Sequence, residues 1–159
     1  MNKWLIAGVL MLGAVAVSVA YVTFRCPCER LPGFVVWGEE QSQPVDDWTF
    51  ANKARLCQLQ VSNGFLPQSL NLNCMADKGE LFVSCASCEG KRWSTTALAY
   101  PDGKILIDGK VYPVRLQRLT DPAQLDRAWA AREDKLTQFG REARPARADH
   151  WWSFQLTSR

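Results

Sequence analysis

The stretch LFVSCASCEGKRWSTTALAYPDGKILIDGKVYPVRLQRL, residues 81–119, decides the fold. Its first part, through Leu81, Val83 and Cys85, reads as a strand. A basic turn follows with Lys91, Arg92 and Trp93, then a short helical piece. Residues 105–107, the pair Asp108-Gly109 and residues 111–119 make a β-hairpin pattern, because the central dipeptide accepts the backbone that a two-residue turn demands. Pro113 has no amide hydrogen for a ladder, so it belongs at an edge or a bulge.

Upstream, Cys57, Leu59 and Val61 alternate with Gln58, Gln60 and Ser62, the two-residue period of a half-buried strand. Asn63-Gly64 with Pro67 is turn chemistry. Leu70, Leu72 and Cys74 alternate with Ser69, Asn71 and Asn73 in a second strand with a polar face. Asp77-Lys78-Gly79 then turns the chain toward Leu81. Ahead of these strands, residues 47–51 (DWTFA) cap a short helical turn. Downstream, Thr120-Asp121-Pro122 opens a helix: Asp121 or Thr120 caps, Pro122 suits the first helical position, and Gln124 is placed to complete a capping interaction. Leu125, Ala128, Trp129, Leu136 and Phe139 form an apolar stripe that Gly140 ends. After a polar loop, residues 150–156 (HWWSFQL) read as a last strand with Trp152, Phe154 and Leu156 on one face and Trp151 on the other. Five or six antiparallel strands, one late helix and a returning strand describe a small β-barrel, mainly β in the α+β sense.

The amino-terminal segment is of another kind. Residues 4–24 carry no charge and are bounded by Lys3 and Arg25. A helix of that length covers about 30 Å and crosses a bilayer, with Trp4 and Tyr21 where interfacial aromatics sit. The expected organisation is a transmembrane anchor over residues 1–25, a linker over 26–47 and the barrel over 48–159. Ser18-Val19-Ala20 offers the rival reading of a cleaved signal peptide. Either way a single-pass or processed chain is sent to a membrane, with the domain on the exported, periplasmic or extracytoplasmic side. In the linker, residues 34–37 form a short apolar patch that adds an edge strand or lies on the domain. The net charge of +3 is small and its basic residues are scattered, which argues against nucleic acid as a partner. The lone His150 rules out a His-rich metal site and leaves hydrolase triads without a base. No side chain presents itself as a catalytic acid or base.

From Trp48 to Leu156 the order of elements resembles the FMN-binding split barrels, the pyridoxamine 5′-phosphate oxidase-like superfamily. The resemblance rests on Gly90-Lys91-Arg92-Trp93, on Pro101 and the hairpin over Asp108-Gly109, on Val114-Arg115-Leu116, on Thr120-Asp121-Pro122 and on the final aromatic strand. It implies a homodimer with FMN or a deazaflavin at the interface, while a membrane-complex partner goes with a cofactor-free barrel. It assigns the cofactor phosphate to Lys91 and Arg92 with Trp93, Thr95 and Thr96 beside them, and an isoalloxazine edge to Ser69, Asn71 and their polar neighbours. The function it implies is flavin-type binding with oxidoreductase chemistry on a small molecule; the alternative is a cofactor-free barrel used as a binding or assembly module. The chain departs from the family pattern at Thr96, at Tyr100 and across residues 85–89.

Six cysteines in a chain of this size point to an oxidising compartment. Cys85-Ala86-Ser87-Cys88 admits a redox dithiol, half of a metal site with Cys26 and Cys28, or a structural disulfide. The last is favoured, with Cys85–Cys88 across the turn and Cys57–Cys74 between neighbouring strands. Cys26 and Cys28 are too close in sequence to bridge each other readily, which leaves palmitoylation, pairing with a distant cysteine or plain free thiols.

Overall fold

The computed structural model describes residues 3–24, 33–144 and 146–159. Helix α1 (Lys3–Phe24) comes first, and its Lys3–Tyr21 portion is long and apolar enough to cross a membrane. The strands are β1 (Glu39–Glu40), β2 (Cys57–Ser62), β3 (Pro67–Asp77), β4 (Glu80–Cys85), β5 (Asp102–Ile107), β6 (Lys110–Arg118) and β7 (Trp152–Ser158). Between them lie a 3-10 turn (Thr49–Lys53), α2 (Arg92–Ala99) and α3 (Pro122–Gln138).

Strands β6-β5-β2-β3-β4-β7 pair antiparallel in that order, and β7 returns to β6, so the six-strand sheet closes on itself. Alternation does the sorting. Cys57, Leu59 and Val61 of β2 point inward while Gln58, Gln60 and Ser62 point out, and the inward residues of all six strands join one buried cluster. Helix α2 adds Trp93 and Ala97 to that cluster, with Trp93 against Phe154 at 5.4 Å between ring centres. The helix therefore plugs the barrel.

Two hairpins fix the register. Lys78 and Gly79 (φ 49° and 81°) and Asp108 and Gly109 (φ 47° and 80°) both place two consecutive residues in the left-handed region, the signature of the type I′ turn that matches strand twist. Strand β3 is the long one: its residues 67–72 pair with β2 and its residues 73–77 pair with β4. Pro113 sits where β1, paired with Lys110 and Val111, gives way to β7, whose pairing starts at Val114. Its missing N–H thus faces a junction between two partners rather than an outer edge, and its carbonyl accepts from Arg159 N at 3.1 Å.

The apolar patch of the linker is a belt. Gly33 exchanges two 2.8 Å backbone hydrogen bonds with Ser69 on the free edge of β3. Val36 N donates to Gln60 Oε1 at 2.8 Å on the outer face of β2. Gly38 then passes so close to β5 and the 108–109 turn that an added Cβ would lie 2.4 Å from Gly109 O and 2.7 Å from Leu106 Cδ1. The strand that the patch leads into is not residues 34–37 but β1, which runs parallel to β6. Strand β7 likewise runs two residues later than the aromatic pattern suggested, because its pairing with β6 extends to Ser158.

Helix α3 is capped as its sequence requires, with Asp121 Oδ2 accepting from Gln124 N at 2.9 Å and Pro122 in the first turn. It lies outside the barrel, where Ala128 and Trp129 meet Met75, Phe82 and Trp151 in a second cluster, the two indoles edge to face at 5.2 Å. Two positions differ from the apolar stripe expected of it. Phe139 lies past the helix end and is exposed. Lys135 is buried instead, at 1 % exposure.

The Lys135 ammonium donates to Ala51 O at 2.9 Å and to Cys74 O, and lies 3.5 Å from Cys74 Sγ. It therefore ties α3, the 3-10 turn and β3 together through carbonyl dipoles, without a carboxylate. Burial lowers its pKa from 10.5 to about 8. Between those values the unfolded chain holds more protons than the folded one, so stability rises with pH. The melting temperature should climb from pH 7 to pH 9.5. In Lys135→Met that climb should flatten, which a series of thermal melts across the range will check.

Candidate functional site

The first feature is the amino terminus of α2. Lys91 occupies the cap position in an extended conformation, and no side chain caps the helix. The first-turn N–H groups of any helix lack intrahelical partners, and here no acidic residue fills the first turn. Ser94 Oγ faces inward instead, donating to Cys88 O and lying 2.9 Å from Lys91 O. Lys91, Arg92 and Thr95 are exposed and Thr96 is half-buried. Neither Lys91 nor Arg92 forms an ion pair among the described residues. A point charge, a guanidinium, hydroxyls and open N–H groups are the donor set that phosphate oxygens require. Trp93 is placed differently: its indole is buried in the barrel, so it positions this turn rather than lining its surface.

The polar face of the hairpin is only partly available. Ser69 is fully buried where the belt meets β3, and its Oγ has no hydrogen-bond partner among the described residues, as is also true of Gln68 Oε1 and Ser84 Oγ. Gln60 spends its carbonyl on Val36. Asn71 and Asn73 are half-buried on the same face of β3.

The cysteines pair as expected. Cys57 is joined to Cys74 with 5.8 Å between Cα atoms, and Cys85 to Cys88 with 5.6 Å. The first bond lies inside the barrel beneath Lys135, and the second holds the end of β4 against the approach to α2. Cys26 and Cys28 fall outside the described residues. No group of acidic, histidine and cysteine side chains able to hold a metal occurs among the described residues.

A second basic feature was invisible in the sequence. Arg55, Arg132 and Arg141 line a cleft of about 270 Å³ together with Asn73, Leu56, Leu136 and Phe139. Arg132 pairs with Glu133 and stacks over Trp129 at 4.8 Å. Arg55 and Arg141 have no acidic partner among the described residues. Three arginines scattered over 87 positions give no local signal; only the packing of α3 beside β3 brings them together.

No family model and no curated protein matches the sequence. Solved structures do match in shape. A protein assigned as a pyridoxamine 5′-phosphate oxidase from Listeria innocua superposes with a TM-score of 0.53 at 10% identity, over 69% of this chain and 87% of its own. The fold is that of the pyridoxamine 5′-phosphate oxidase-like split barrels. A conserved hypothetical protein from Mycobacterium tuberculosis gives 0.56 at 12% identity, over 76% of this chain and 86% of its own. A protein assigned to 5-nitroimidazole antibiotic resistance from Bacteroides thetaiotaomicron gives 0.54 at 8% identity, over 84% and 91%. At such identities the likeness speaks for the split barrel and not for a reaction.

The two disulfides should differ in weight. The longer loop of Cys57–Cys74, 17 residues, predicts a loss of about 3 kcal/mol on removal, or about 10 °C in melting temperature. Cys85–Cys88 closes only three residues and should cost less. Thermal melts of Cys57→Ala/Cys74→Ala and Cys85→Ala/Cys88→Ala, with peptide mapping of the oxidised chain, give the comparison.

Proposed function

We propose that the domain binds a flavin-type cofactor, FMN or a deazaflavin, and serves oxidoreductase chemistry on a small molecule at the surface of a membrane. The observation that carries this reading is the α2 terminus, which has no side-chain cap and has Lys91 and Arg92 beside it with no ion pair among the described residues, in a barrel whose structural relatives include a pyridoxamine 5′-phosphate oxidase assignment. Lys91 and Arg92 would hold the cofactor phosphate, with Thr95, Thr96 and the first-turn N–H groups filling the remaining acceptor sites. Asn71, half-buried on the outer face of β3, would serve the ring system, while Ser69 beside it lies under the belt. A bound flavin supplies the hydride or electron transfer. The chain's own residues bind, orient and shield. The arginine cleft suits an anionic substituent of the small molecule, since Arg55 and Arg141 offer guanidinium forks with no acidic partner among the described residues.

Helix α1 supports retention at a membrane, and the two disulfides support an exported domain. A homodimer would complete the cofactor site in the manner the fold resemblance implies. One observation favours the second reading, a cofactor-free barrel acting as a binding or assembly module: the belt already occupies Ser69 and Gln60.

The test separates the two. Purified chain titrated with FMN and with a deazaflavin should quench their fluorescence on binding, and Lys91→Ala/Arg92→Ala should weaken that binding at least tenfold while leaving the melting temperature within 2 °C or so of the parent. A single phosphate contact of this charge-assisted kind, about 1.5–3 kcal/mol, already sets that lower bound. A parent chain that binds neither cofactor selects the module.

A further inference from the structure

From Leu56 to Ala76 the chain runs 21 residues without a charge, although charged residues make up 22% of the whole. This run is the β2–β3 hairpin. Its two ends differ. The far end of β3 is charged, with Asp77 and Glu80 both paired to Arg127. The other end, the 63–66 loop, presents Phe65 at 86 % and Leu66 at 43 % exposure. Two adjacent apolar side chains open to water at one loop tip make a patch rather than a scattered single residue.

The loop is built to hold those side chains outward. Asn63 Oδ1 accepts from Phe65 N at 3.1 Å and from Leu66 N at 3.0 Å, and Ser62 Oγ accepts from Gly64 N at 3.2 Å. The tip's N–H groups are therefore satisfied without water, which removes much of the cost of entering a less polar layer. The same end of the barrel carries Leu98 and Tyr100, both exposed, because Gly103 pairs with Val61 just before the loop begins. There Arg115 (2.9 Å) and Arg159 (3.0 Å) both pair with the carboxylate of Asp102 and remain about half-exposed.

The tether arrives at this end as well. Gly33 is pinned to Ser69, three residues from Leu66. Eight residues separate Phe24 from Gly33, so the end of α1 lies within about 30 Å of that anchor point. We propose that the 63–66 loop seats Phe65 and Leu66 in the interfacial layer of the bilayer that holds α1, with Tyr100 and the Arg115 and Arg159 guanidinium groups at the headgroups, so that the barrel stands on the membrane by this end. The occupant is the lipid surface. An uncharged apolar tip, an interfacial aromatic and exposed guanidinium groups are the chemistry such a surface takes. The proposal rests on the reading of α1 as a retained anchor.

Full-length chain with Cys26 and Cys28 changed to Ser is reconstituted in phosphatidylcholine:phosphatidylglycerol vesicles and carries a spin label at Phe65→Cys or, separately, at Asp134→Cys. The label at 65 should be several-fold more accessible to oxygen than to a water-soluble nickel chelate, and the label at 134 the reverse. Phe65→Asp combined with a label at Leu66→Cys should return that label to water. Equal aqueous access at 65 and 134 in chain that co-floats with vesicles overturns the proposal and leaves the anchor intact. Failure to co-float overturns the anchor and the proposal together. Spin–spin broadening at 65 with exclusion of both reagents also overturns it, assigning the loop to a second copy.

Discussion

Closure of the sheet between β6 and β7 is the constraint on which the rest depends. Leu116 faces Leu156 and Arg118 faces Phe154 in that ladder. Without it, β6 and β7 would be left as open edges and the inward face of the sheet would be wet. With it, one cylinder of apolar side chains is sealed at its end by α2, and everything of chemical interest is displaced to the outside. The phosphate-suited turn is the start of the plug. The arginine cleft is the seam between the barrel and α3. The hairpin tip is where two barrel strands reverse.

Much of this was legible in residues alone. The alternation of Cys57, Leu59 and Val61, the two type I′ dipeptides and the Asp121-Pro122 start of α3 are local patterns with one stereochemical reading each, and the barrel follows from their order. The Cys57–Cys74 and Cys85–Cys88 pairings were legible for the same reason, since each joins residues that local structure already brings near. Lys91 and Arg92 were legible as a basic turn; that they open an uncapped helix needed the structure.

What escaped the sequence is what depends on long-range packing. Lys135 occupies a position that periodicity leaves neutral, and only the coincidence of two carbonyls from Ala51 and Cys74 makes burial of its ammonium tolerable. The belt escaped because its partners are backbone groups and one glutamine, which carry no pattern. Its consequence reaches back to the site, for it covers Ser69, a residue that strand alternation alone assigns to an open polar face. The cleft of Arg55, Arg132 and Arg141 is of the same kind, being a property of neighbours in space.

The belt also sets an order of events. It is made before any barrel strand, yet its resting places are Ser69 on β3, Gln60 on β2, the 108–109 turn and β6. A chain that emerges from its amino terminus therefore holds Gly33 and Val36 without these partners until β2 and β3 have followed, and holds Gly38 and β1 without theirs until β6 has. The first part of the domain to appear cannot settle completely until β6 has been made, and only the closing strand and α3 come later.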